Sequence, residues 1–144
     1  MVKQGNLLHN INSNVKTGIC HLVNNIGVMG AGFALSLRQA YPCVYSREKY
    51  QLGNVDTITI NDRLFVFHMC GQDGIWQHGP KQCFVVYDKL AECMTTVKNK
   101  YKELQLDVLM CPKFGSGLAG GSWNTIEKMI ADIWCDINVE VWVQ

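Results

Sequence analysis

Charge is what this 144-residue chain has little of: Asp, Glu, Lys and Arg make up only 17% of it, against about 25% in an ordinary soluble domain. What charge there is nearly cancels, with 13 Lys and Arg against 12 Asp and Glu, for a net +1. A broad electrostatic footprint for duplex nucleic acid or an anionic membrane surface is thereby excluded as the main theme, and any bound anion must be held by local geometry. A membrane span is lacking too. The uncharged stretch 17–37 contains His21, Asn24, Asn25 and four glycines, which hydrocarbon tolerates poorly. Lys3 and Gln4 follow Met1 almost at once, with no apolar signal core. The expectation is a soluble, cytoplasmic chain with no membrane and no nucleic-acid partner. The seven cysteines are widely spaced and include no CxxC pair, so neither a disulfide scaffold nor a structural zinc site is read from them. Most are read as small apolar core residues in a reducing compartment.

Hydrophobic residues amount to 48%, and a chain of this size buries roughly 70% of its unfolded surface without staples. No repeat, linker or low-complexity tract interrupts it, so residues 1–144 are expected to form one domain and to be monomeric. Residues 18–24 (GICHLVN) form an apolar run of strand length. Residues 31–41 read as a helix opened by glycines and stopped at Pro42, which in turn is placed to start a second helix over 43–52. Residues 55–60 alternate with period two, 64–69 are aromatic and β-prone, and the turn 61–63 makes them a hairpin. A breaker-rich loop over 71–81 precedes a helix over about 84–104 with Val86, Leu90, Cys93, Met94 and Val97 on one face. A strand at 108–111, a glycine-rich turn at 115–121, a helix capped by Ser122 and a strand at 139–143 complete the chain. The expected fold class is α/β: three layers, α/β/α, around a mixed central sheet. In such sheets ligands bind beyond the carboxyl ends of the strands.

Two strand–loop–helix segments meet that description, HLVNNIGVMGAGFA from His21 and MCPKFGSGLAGGSW from Met110. Glycines let a backbone approach a ligand closely, and a helix start aims free N–H groups at an anion. From Gly27 the spacing is GxxGxG, not the dinucleotide GxGxxG, and no Gly-Lys-Ser/Thr follows for a P-loop. Two facing loops of this kind can clamp a diphosphate with neutral main-chain donors, which agrees with the small net charge. Lys113 is a candidate phosphate partner and Trp123 a core or hinge residue. No His/Cys/Asp cluster has metal spacing, so no metal and no cofactor are expected. A cysteine phosphatase is excluded because Cys111 precedes Pro112 and Lys113 with no arginine following, and Cys20 and Cys70 lack a phosphate loop.

Taken in register, Gly5-Asn6-Leu7, His21 to Asn25 with Gly27 to Gly32, Tyr41-Pro42, and PKFGSGLAGG from Pro112 resemble the macrodomain family, which binds ADP-ribose; the likeness covers residues 5–123. Within it, His21 ahead of the asparagine loop, His78-Gly79, Lys81-Gln82, Tyr87 and Lys89 to Ala91 are most similar to the branch that hydrolyses ADP-ribose-1″-phosphate. Branches that release ADP-ribose through a lysine carry it just after the strand at 64–69, where this chain has Gly71 and Gln72; the glutamate-linked branch has an aspartate where Ala119 stands.

The resemblance implies that Gly5, Asn6 and Leu7 lie near the adenine, and that Asn24 and Asn25, with Leu22 and Val23 beside them, bind the distal ribose. Val28, Met29, Gly30, Ala31, Gly32, Phe33 and Ala34 would wrap the diphosphate. Pro112, Lys113, Phe114, Gly115, Ser116, Gly117, Leu118 and Ala119 would close over it. The catalytic candidates are His21, as proton donor or orienter of a water, Asn24, and His78, with Lys81 and Asp73 in the same loop as weaker ones. His9 and His68 are read as structural. The partner is a small molecule, ADP-ribose or its 1″-phosphate. A non-catalytic reader of ADP-ribose and an ester-directed mono-ADP-ribosyl hydrolase remain the alternatives.

Overall fold

A computed structural model describes residues 1–45 and 49–144. Six strands form one sheet in the order β1-β6-β5-β2-β4-β3: β1 (Val2–Gln4), β2 (Thr17–Asn24), β3 (Val55–Asn61), β4 (Leu64–Gln72), β5 (Val108–Pro112) and β6 (Val139–Val143). All neighbours run parallel except β3 and β4, the antiparallel hairpin at one edge. The expected mixed sheet with helices on both faces is what forms.

The central strands explain the layering. β2, β4 and β5 are buried along almost their whole length, as a parallel sheet covered on both sides requires. Side chains alternate between two cores. Ile19, Val66 and Met110 join Leu37 of helix α1 (Gly32–Ala40) on one face, while Cys20, Phe67, Leu109 and Cys111 join Leu90, Met94 and Ile126 on the other. The latter come from α2 (Tyr87–Glu103) and α3 (Trp123–Ile133).

Three sequence expectations are corrected. The helix expected over 43–52 is a 3-10 turn at Pro42–Val44; residues 46–48 of it lie outside the described residues, and 49–52 are not helical. The breaker-rich loop starts later than expected because β4 runs on through Gly71 and Gln72. There Val86 N–H bonds the Gly71 carbonyl at 2.8 Å and Val85 bridges Gln72. Residues 84–86 are consequently extended, and α2 begins only at Tyr87.

Candidate functional site

β2, β4 and β5 end on the same edge of the sheet because they run parallel, so the segments after them gather there. Among the described residues they enclose a cavity of about 430 Å³, within the range of small-molecule sites. Val28 to Ala34 line one side, and Pro112 to Gly115 with Gly117 to Ala119 line the other. His21, Leu22, Val23 and Asn24 contribute the end of β2. Gln72, Ile75 and Trp76 also line it. The sequence pattern does not single out these three, because Gln72 reads as loop and Trp76 sits in a segment without periodicity.

The electrostatics are those of an anion site without a cationic cluster. No carboxylate lines the cavity, and Lys113 is its one charged side chain among the described residues. Helix α1 begins at its wall, its N-cap Ala31 offers no side-chain acceptor, and no acidic residue occupies its first turn. The leading N–H groups of Gly32, Phe33 and Ala34 therefore stand open toward an acceptor. A Cβ at Gly30 would meet only the tip of Val28, and at Gly32 nothing within 4 Å, so a ligand can approach this backbone closely. The other glycine turn is different. Gly120 and Gly121 pack against the backbone of Gln82 and Gly115, and Gly115 against Ile126, while only Gly117 faces open space. Most of these glycines shape the turn itself. Ser122 caps α3 by accepting from Thr125 N–H, so that helix start is closed.

Other candidate residues are placed differently from the expectation. Gly5, Asn6 and Leu7 do not line the cavity: Asn6 caps the 3-10 turn Leu7–His9 and Leu7 is in the core. Asn25 does not line it either. Its amide donates to Asp73 Oδ1 and accepts from Gly74 N–H, both at 2.9 Å, stapling the segment that carries Ile75 and Trp76. Asn24 folds onto its own loop, with Oδ1 accepting from Ile26 and Val28 N–H and Nδ2 donating to the Val28 carbonyl. Its side chain shapes the turn over which Val28 and Met29 line the wall. Ser116 bonds the Lys113 carbonyl and lies outside the lining. His78 and Lys81 are exposed and outside it too. Lys113 Nζ lies 5.6 Å from the centre of the half-buried Trp123 ring, and that ring packs on Phe114.

His21 lines the cavity yet is only 2% exposed. Its Nε2 lies 2.7 Å from Nδ1 of His68, and Phe33 meets its ring edge-on. Burial first, and then the charge of His68, hold its imidazole well below the usual range, so it is neutral at pH 7. A neutral ring takes a proton before it has one to give. Two of the cysteines are held neutral by burial as well. Burial pushes the Cys70 thiol up to about 11 and the Cys93 thiol to about 12, leaving no thiolate there at neutral pH. Among the described residues no group of His, Cys, Asp and Glu could hold a metal ion, and no helix is long and apolar enough to cross a membrane.

The chain matches no family profile. Among curated proteins it is similar to a DNA ADP-ribosyl glycohydrolase of Thermus aquaticus, 27% identical over an alignment of 136 residues that covers 87% of this chain and 36% of that protein. The chain thus spans about a third of the length of that relative. A solved protein of unknown function from Bacteroides thetaiotaomicron superposes with a TM-score of 0.80 at 30% identity, over 99% of this chain and 96% of its own. The macrodomain of Thermus aquaticus DarG does so with 0.71 at 25%, over 99% and 97%. Thermosipho africanus DarTG in complex with ADP-ribose gives 0.70 at 18%, over 92% of this chain and 39% of its own. The fold of this chain is macrodomain-like.

Proposed function

We propose that this chain binds ADP-ribose in the cavity between residues 28–34 and 112–119 and hydrolyses the terminal phosphate of ADP-ribose-1″-phosphate. The observation that carries the binding is the uncapped start of α1, opening with Gly30 and Gly32 into a cavity that no carboxylate lines. Neutral N–H donors there suit a diphosphate. The macrodomain fold and the ADP-ribose bound to the Thermosipho protein support the same ligand.

In the hydrolytic step a water attacks phosphorus and passes its proton to neutral His21. The P–O1″ bond breaks, and the proton returns to the sugar oxygen, leaving ADP-ribose and inorganic phosphate. Main-chain donors of the two walls stabilise charge on the equatorial oxygens. Asn24 serves this site as a loop former, and His78 has no part in it.

A second reading, cleavage of ADP-ribose from DNA, is favoured by the name of the Thermus relative, a DNA ADP-ribosyl glycohydrolase. Gln72, where a lysine would stand by resemblance, counts against it. Calorimetric titration with ADP-ribose at pH 7 should give one saturable site, and absence of heat would end the binding reading. With ADP-ribose-1″-phosphate, phosphate should be released, and His21→Ala should slow release by about 10²-fold or more while ADP-ribose affinity changes little. Binding without release makes the chain a reader, and release of ADP-ribose from modified DNA alone selects the second reading.

A further inference from the structure

By sequence His68 is a structural residue, but its surroundings constrain the chemistry of its neighbour. Parallel pairing of β2 and β4 sets His21 directly opposite His68. Both rings lie on the α1 face of the sheet, and His68 is fully buried. Its Nδ1 lies 2.7 Å from His21 Nε2, and its Nε2 lies 3.0 Å from the carbonyl oxygen of Val44. A carbonyl only accepts, so His68 Nε2 must carry a hydrogen. In a neutral ring its Nδ1 is then the acceptor, and His21 Nε2 must be the donor. The opposite arrangement would set two lone pairs against each other at the Val44 carbonyl in a buried site. Burial, the larger cause, holds His68 below its usual range, although Asp56 and the Val44 bond pull it upward. Asp56 faces His68 across the β3–β4 pair and accepts the Tyr50 hydroxyl at 2.8 Å, and the Tyr50 ring stacks on His68.

We propose that His68 is a positioning residue which, anchored by the Val44 carbonyl, holds resting His21 in the tautomer with hydrogen on Nε2 and a bare Nδ1, so that His21 first meets the ligand as a proton acceptor and has a proton to give only after it has taken one. The inference rests on the reading of His21 as a group that acts on a bound water. When Nδ1 takes a proton, the Nε2–H keeps its acceptor, and the charge that develops lies one ring away from the His68–Asp56 pair. The buried histidine line thus runs from the cavity wall to the Val44 carbonyl, with Asp56 opposite His68 on the neighbouring strand.

Nitrogen-15 NMR of the ligand-free chain at pH 7 tests the tautomers directly. Both His21 and His68 should show a protonated Nε2 and a bare Nδ1, and the His21 Nδ1 signal should shift on addition of ADP-ribose. A hydrogen on Nδ1 of either ring overturns the proposal. A second arm uses turnover: His68→Asn presents an oxygen that can accept the His21 Nε2–H, whereas His68→Leu presents none. The Asn variant should release phosphate at least about tenfold faster than the Leu variant, at ADP-ribose affinities equal within about twofold. Equal loss in both, with both variants folded, would overturn the positioning role. Correct tautomers in a protein that turns over nothing would count against the hydrolase reading alone.

Discussion

Gly117 and Gly120 lie three residues apart in one turn and face opposite environments. A Cβ at Gly120 would overlap the Gln82 carbonyl oxygen, and its φ of +73° is in the left-handed region, whereas a Cβ at Gly117 meets nothing within 4 Å. Gly120→Ala should therefore lower stability by about 2 kcal/mol or more, visible as a reduced Tm. Gly117→Ala should leave stability within about 0.5 kcal/mol but weaken ADP-ribose binding, measured by calorimetry, because Gly117 lines the cavity proposed for that ligand. Unchanged Tm in the first variant would refute this division. At this scale the sequence marks where the glycines are, and by pattern alone they look alike, as one ligand cradle. Which of them face protein depends on Gln82 and Ile126, residues brought to the turn by other elements.

Among the elements, the segment after β4 is the one whose job changed most between sequence and structure. Asn25 was expected to touch a sugar and instead staples Asp73 and Gly74, while Gln72 Nε2 holds the Gly74 carbonyl from the other side. The indole N–H of Trp76 then bonds the Gly79 carbonyl, which keeps the ring at the cavity. Asn25→Ala should cost only about 1 kcal/mol of stability, since the bonds are partly exposed. It should nevertheless loosen the wall: acrylamide quenching of the Trp76 component, obtained by difference from Trp76→Phe, should rise. If Asn25 met the ligand directly and had no role in the loop, quenching without ligand would not change. β2, β3, β5, β6 and α1 are legible because apolar runs and the Pro42 stop are local signals, whereas the short β1 is not. The extension of β4 through Gly71 was not, because Gly71 reads as a breaker until Leu22 and Leu90 are seen packed close on either side of it.

For the molecule as a whole, two buried histidines make the fold sensitive to acid. Unfolded, each titrates near 6.5, and folded, burial lowers both. Below about pH 6.5 the unfolded chain therefore binds more protons than the folded one. Stability should then fall by up to about 1.4 kcal/mol per pH unit for each histidine until its folded value is reached. Above pH 7 this source contributes no slope. Urea unfolding at pH 7.5, 6.5 and 5.5 checks it, and a midpoint that does not move between 6.5 and 5.5 would contradict it.

The sequence by itself determined the layered architecture and the sheet edge at which the two glycine-bearing turns gather. Apolar runs of strand length, amphipathic helices and glycine turns are encoded by residues a few positions apart, and burial of apolar surface leaves few ways to stack them. Only the tertiary structure decided that His21 meets His68 across 47 positions of chain, that Asn24 and Asn25 hold loops, and that Gln72 and Trp76 line the cavity. Those contacts follow from the register between strands and the reach of loops from different elements, which no local pattern of residues specifies.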